Sequence, residues 1–211
     1  MSGHDDFATE PVPGLPERPP AGEALLWQGS PNAMALARDA YKVTWVAGYF
    51  VALAIWRAAT ITDGSPASLI AVMLPYLVIG AVAVGLLYTL AYVQARVTIY
   101  TITTARVALR IGAALTVTLN VPFSQIANAT LATKGNGTGT IALETLGDAR
   151  ISYLVCWPHV RPWHLAKSQP ALRCIPDAAQ VAKLLADAAE TRVSQPQVTR
   201  VAARMDMAAA E

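Results

Sequence analysis

A chain of 211 residues with 54% hydrophobic and only 14% charged side chains departs from ordinary soluble domains, in which about 25% of residues carry charge. Its formal net charge of +2 is too small, and its Lys/Arg residues too scattered, for a nucleic-acid-binding surface. Two cysteines, Cys156 and Cys174, exclude a disulfide framework.

Residues 1–22 are acidic at Asp5, Asp6 and Glu10 and proline-rich from Pro11 onward. They are expected to be disordered, and with neither a basic start nor an apolar run they do not read as a cleaved signal. Residues 23–42 read as an interfacial lead-in to two apolar runs. Val43–Ile61 carries a single charge, Arg57, near its end, and Leu69–Val93 carries none. The second run would span about 37 Å as a helix rising ~1.5 Å per residue, enough for the ~30 Å hydrocarbon core of a bilayer. Together they predict a transmembrane hairpin turned by Thr62–Ser68. Arg38 and Lys42 precede it, and Arg96, Arg106 and Arg110 follow it, against Arg57 alone on the connecting side. The positive-inside rule then places both termini in the cytoplasm. Small residues one turn apart, Gly48 with Ala52 and Ala81 with Gly85, suggest where the helices approach, with Gly48 and Gly80 at one depth. Pro75 is expected to kink the second helix.

Beyond Arg96 the apolar period changes from helical to two. The segments Val97–Thr103, Arg106–Ile111, Leu115–Val121, Gln125–Thr133, Thr140–Thr145 and Arg150–Cys156 read as short strands, without intervening helices, of an antiparallel sheet or small barrel. The glycines of KGNGTGTIAL, Lys134–Leu143, raise the question of a phosphate loop. Such a loop needs a helix N-terminus after it, whereas Ile141-Ala142-Leu143 continues as strand and Lys134 precedes the glycines, so a hairpin turn is the reading. One helix closes the sheet: Asp177 is its expected N-cap, Gln180 occupies the capping-box position, and Val181, Leu184, Leu185 and Ala188 form its apolar stripe. Residues 96–190 thus form one domain, and Thr191–Glu211 reads as a frayed tail. The fold class is an α+β membrane protein, a two-helix hairpin followed by an antiparallel β domain closed by a C-terminal helix.

The segment CWPHVRPWH, Cys156–His164, holds the residues with the strongest claim to chemistry. Cys156, His159, His164 and the later Cys174 are zinc-ligand types, yet His-x4-His broken by two prolines matches no standard zinc module. Trp157 and Trp163 with Arg161 and His164 read instead as an amphipathic loop at the headgroup layer or against a partner. No catalytic arrangement emerges: Glu144 and Asp148 flank a turn, and Ser124 and Ser152 lack any motif context. The three histidines, His4, His159 and His164, lie outside both apolar runs, so no intramembrane histidine is available to ligate bacteriochlorophyll. Catalytic residues, cofactor and bound metal are all expected to be absent.

Tyr100–Arg106 (YTITTAR) after an apolar helix resembles the strand–turn–strand opening of the bacterial PH-like domain family. Gly112, Val121-Pro122-Phe123, Ile126 and Gly137–Ile141 fall where that family places later turns and strands. More narrowly, LLWQGSPN, YTITTARVALRIG, VTLNVPFSQIA and LVCWPHVRPWHLAKSQPALRCIPDAAQVAKLLA resemble the PuhB family, photosynthetic complex assembly proteins of purple bacteria, over about Gly14–Ala189. That resemblance implies a PH-like fold and a non-enzymatic factor assisting assembly of the reaction centre–light-harvesting 1 core complex in the bacterial inner, intracytoplasmic membrane. The implied partners are reaction-centre and light-harvesting 1 subunits and membrane lipids, with a homo-oligomer compatible and nucleic acid excluded. The expected contacts are Leu25 and Trp27 of the lead-in, and Trp157, Pro158, His159, Arg161, Trp163 and His164 of the loop. The alternative is a generic PH-like module binding lipid headgroups or peptides, with Arg96, Arg106, Arg110 and Arg161 as headgroup ligands.

Overall fold

The computed structural model describes residues 12–15, 17–61, 64–112, 116–135, 137–147 and 151–194. Strand β1 (Leu25–Gly29) and the short helix α1 (Ala33–Asp39) lead into two long helices, α2 (Val43–Ile61) and α3 (Pro66–Val97). Strands β2 (Ile99–Thr103), β3 (Arg106–Ile111) and β4 (Val117–Pro122) follow. A single 3-10 turn at Phe123–Gln125 leads to β5 (Ile126–Thr133) and β6 (Thr138–Thr145), then α4 (Tyr153–Cys156), β7 (Ala171–Pro176) and α5 (Ala178–Ser194).

The strands form two antiparallel sheets, ordered β1-β2-β3-β4 and β5-β6-β7. Their inner faces share one core, in which Tyr100, Ile102, Leu109, Leu143, Leu172 and Ile175 are fully buried. Helix α5 sets Val181, Leu185 and Ala188 into that core, with Leu184 partly buried beside it. Its first turn packs hard on β6: a Cβ added at Gly139 would lie 2.5 Å from that of Ala178, so only glycine fits there. The turn between β5 and β6 is a tight hairpin, with Lys134 N–H donating to the Thr138 carbonyl at 2.8 Å and Gly137 at φ 75°, a conformation that glycine adopts without strain.

The lead-in proves to be part of the sheet. β1 pairs antiparallel with β2, Trp27 opposite Ile102 and Gln28 opposite Thr101. Glu23 locks its entry by accepting from Arg106 Nε at 2.9 Å and Nη2 at 3.2 Å. The two long helices are therefore inserted between adjacent strands of one sheet. Helix α1, capped by the Asn32 side chain, fills the corner, packing Ala35 and Leu36 against Ala95 of α3 and Cys174 of β7.

Several sequence expectations need correction. Residues 153–156 are helical rather than extended, because Tyr153–Cys156 turn the chain into a long crossing between β6 and β7. Strand β7, not anticipated, supplies the third strand of the second sheet. Residues 113–115, including the expected start of β4, and residues 148–150, including the first residue of another expected strand, lie outside the described residues. Asp177 has the left-handed φ of 49° instead of an extended N-cap, and its backbone carbonyl accepts from Gln180 and Val181. Thr191–Ser194 belong to α5, and residues 195–211 of the expected tail lie outside the described residues. Helix α3 starts at Pro66, with Ser65 accepting from Ser68 as its cap, and runs continuously through Pro75 to Val97.

The two long helices meet at Gly80, as expected, but not at the other small residues expected there. Phe50 lies over Gly80, where an added Cβ would come within 2.7 Å of the Phe50 Cβ. Ala54, Ala58 and Ala91 are buried, whereas a Cβ at Gly48 or Gly85 would meet nothing within 4 Å. Ala52 and Ala81 are exposed. Both helices are apolar on nearly every face, so hydropathy gives no rotation about the axis, and small residues alone pointed to Gly80 correctly but to the wrong face of α2.

Candidate functional site

The connection from β6 to β7 crosses the base of the long helices and divides into a buried and an exposed half. In the buried half, His159 N–H donates to the Cys156 carbonyl at 2.7 Å, and the His159 carbonyl accepts from Ala171 at 2.9 Å. A bridge between Val160 and Pro170 closes the loop. The Trp157–Pro158 peptide is cis. These contacts pair backbone groups of the buried Pro158–Val160 stretch, as burial requires.

His159 is 1% exposed, with hydroxyls on both sides of its ring. Tyr100 Oη lies 2.6 Å from Nδ1 and Thr98 Oγ1 lies 3.1 Å from Nε2. The Tyr100 oxygen also accepts from the Arg173 backbone N–H at 3.2 Å. The arrangement that uses every proton has Tyr100 O–H donating to Nδ1 and Nε2–H donating to Thr98. Burial, reinforced by the nearby Arg173 charge, lowers the imidazole to about 3, so the ring is neutral. Burial likewise raises the Tyr100 phenol. Arg173 Nη1 donates to the Pro158 carbonyl at 3.0 Å. Thr98 caps α3, so this network ties the last turn of α3 to β2, β7 and the loop.

A neighbouring cluster joins α1 to the second sheet. Cys174, at φ 53°, donates its thiol to Asp39 Oδ2 at 3.5 Å, and Lys134 forms an ion pair with Asp39. Burial first, then the Asp39 charge, push the Cys174 thiol up to about 12. The four residues weighed as metal ligands are thus engaged apart: His159 with Tyr100 and Thr98, Cys174 with Asp39, and His164 Nδ1 near the Pro162 carbonyl at 2.9 Å. Cys156 is buried, and burial raises its thiol. Among the described residues no group of three or more His, Cys, Asp or Glu side chains could hold a metal ion.

The exposed half sets large apolar side chains beside Arg161, His164 and Lys167. Trp163 is 91% exposed with φ 66°, and Leu154, Val155 and Leu165 are also exposed. Trp157 stands edge-on to Tyr41, ring centroids 5.0 Å apart, immediately before α2. Arg161 donates to Gln169 Oε1 at 3.1 Å. The structure therefore separates the eight expected contact residues. Trp163, Trp157, Arg161, His164 and Leu25 reach the surface wholly or in part. Pro158 and His159 are buried, because one gives its carbonyl to Arg173 and the other fills the hydroxyl network. Trp27 packs against the core and its ring covers Gly29. Sequence reading missed Thr98, Tyr100 and Arg173; the signal was a tyrosine at an inward strand position, whose hydroxyl needs a buried partner.

The family model described as bacterial PH domain matches residues 41–189. A relative from Rhodobacter capsulatus, described as an uncharacterized 23.7 kDa protein in the puhA 5' region, is 49% identical over 201 residues, covering 94% of each chain. A crystal structure of a DUF1696 family protein with a pleckstrin-homology domain, from Shewanella loihica, has a TM-score of 0.30 and 14% identity over 44% of this chain and 71% of its own.

Proposed function

Because the chain belongs to the bacterial PH domain family, we propose that it is a membrane-anchored docking module, without catalysis of its own, that assists assembly of the reaction centre–light-harvesting 1 core complex. The observation that carries the photosynthetic part is the near full-length Rhodobacter relative, whose name ties it to the puhA region. The resemblance of the tryptophan–proline loop to PuhB proteins points the same way.

Membrane anchoring is supported by the exposure of the long helices. Only 17% and 6% of their most apolar windows are buried within the chain, and Trp45, Trp56, Ile70 and Leu86 stand out from the surface. A core helix of a soluble protein hides such side chains, whereas a bilayer solvates them. Topology adds that β1 and β2, hydrogen-bonded neighbours, flank the hairpin in sequence. Two spans return the chain to the side it left, which keeps one sheet on one face of the membrane. The flanking cations favour the cytoplasmic face. There the Tyr41–Trp157 pair marks the base of the hairpin, and Trp163 with its apolar neighbours is presented to incoming subunits.

The headgroup-binding reading fares less well, because its four arginines converge on no shared site. Arg106 is paired with Glu23, Arg110 is 3% exposed, Arg161 holds Gln169, and Arg96 stacks over Tyr92 at 5.2 Å. The test is affinity capture of the tagged full chain from photosynthetically growing cells. Reaction-centre and light-harvesting 1 subunits are expected with the wild-type chain and depleted with the Trp163→Ala, Arg161→Ala double variant; equal recovery removes the loop from the contact.

A further inference from the structure

A second surface lies along β5, away from the Trp163 loop. Among the described residues strand β5 ends the second sheet, hydrogen-bonded to β6 on one side only, and every residue from Ala127 to Thr133 is exposed. Its sequence, IANATLAT, contains neither charge nor proline, the usual devices that stop an edge from accepting another strand. The free side presents a row of backbone N–H and C=O groups, whose spacing only another extended polypeptide matches.

Beside this edge runs a cleft of about 350 Å3 between β5 and α5. Ala129 and Leu131, alternate residues on one face of β5, form one wall, and Ala182, Ala186 and Ala189 of α5 form the other. Alanines at i, i+4 and i+7 lie on one helical face and leave room for side chains from outside. No charged side chain lines the cleft. Of the four charges of α5, Lys183, Asp187 and Arg192 line a separate groove with Leu26 and Thr104, and Glu190, exposed beyond Ala189, lines neither. A charged occupant of the β5 cleft would lose its hydration without gaining a counter-charge.

We propose that β5 and the α5 cleft bind an uncharged, extended segment of a partner polypeptide as an added strand, its alternate side chains entering the cleft. The backbone row selects a polypeptide over a lipid, and the neutral walls select an uncharged one. This site stands independently of the assembly role.

The probe is a fluorophore-labelled, end-blocked octapeptide alternating valine and threonine, kept below its own aggregation threshold and titrated against the full chain in detergent micelles. Its twin is N-methylated at alternate amides on each edge in turn. Anisotropy is expected to saturate with the parent peptide and to show at least tenfold weaker binding when the pairing edge is methylated. Ala186→Trp, which fills the cleft, is expected to cost a similar factor. Absence of saturable binding, or equal binding of parent and both methylated twins to the wild-type chain, overturns the proposal whatever the fold of any variant. A dimer in sedimentation that Thr130→Lys dissociates assigns the edge to a second copy of this chain and also overturns it.

Discussion

Removing one oxygen atom tests how firmly the domain is joined to the base of the hairpin. In Tyr100→Phe the ring still fills the core, but two buried groups lose their partner: His159 Nδ1, now 2.6 Å from the hydroxyl, and the Arg173 backbone N–H at 3.2 Å. Tyr100 and His159 are 0% and 1% exposed, so water cannot replace the oxygen without opening the core. A buried polar group left unsatisfied costs about 1–3 kcal/mol. Two such groups, partly relaxed through the remaining Thr98 contact, give about 3 kcal/mol. For a chain of this size each kcal/mol lowers Tm by roughly 2–4 °C, so a drop of roughly 6–12 °C is expected. The assay is thermal unfolding in detergent at pH 7, followed by tryptophan emission. A second variant, His159→Leu in the Tyr100→Phe background, removes one orphaned group and is expected to cost less than the sum of the single changes. A Tm for Tyr100→Phe within about 1 °C of wild type, or strict additivity of the two changes, would refute the network.

Acidification acts on the same histidine. Its folded value, lowered to about 3, lies below the ordinary 6.5, so the unfolded chain binds the proton first and stability falls as pH drops from 6.5 towards 3. The loss reaches about 2 kcal/mol at pH 5, and His159→Gln is expected to flatten that part of a Tm-versus-pH curve. Glu23→Gln weakens a paired contact whose side chains are only 8% and 28% exposed, and is expected to destabilise β1 docking by about 1–3 kcal/mol, seen as earlier proteolysis before Leu25. Gly80→Leu collides with Phe50 and is expected to cost about 1–3 kcal/mol in detergent, while Gly85→Leu, where a Cβ has open space, leaves Tm unchanged. Trp163→Ala, at a side chain 91% exposed, is expected to change stability by no more than about 0.5 kcal/mol; combined with Arg161→Ala it lowers core-complex yield at normal protein abundance.

Patterns written in consecutive residues were readable. Val43–Ile61 and Arg106–Ile111 coincide with helix and strand bounds, and the Lys134–Gly137 turn follows from glycine placement. Contacts between distant segments were not. β1 is only five residues long, and its partner β2 lies beyond the whole hairpin, so nothing local marks it as a strand. β7 hides in LRCIP after a long proline-containing crossing, where periodicity is interrupted. Within the candidate site the residue types were legible as an aromatic, cationic loop, but not the division between faces. His159 looks as available as His164 in sequence, and only the packing of the β6–β7 crossing against the end of α3 and the start of β2 brings Thr98 and Tyr100 to its ring. The helix contact failed for a related reason: Gly48 and Phe50 are two positions apart, roughly 200° around a helix, and a uniformly apolar surface cannot choose between them.

The assembly role is tested most directly in Rhodobacter capsulatus lacking its 49% identical relative, complemented with this chain. Core-complex absorbance and reaction-centre and light-harvesting 1 transcripts are followed after a shift to photosynthetic growth. The account predicts slow, incomplete core-complex accumulation with normal transcripts in the deletion strain, restored by the wild-type chain but not by the Trp163→Ala, Arg161→Ala variant present at equal abundance. Normal accumulation without the relative or the chain, or a loss explained by falling transcripts, would contradict it.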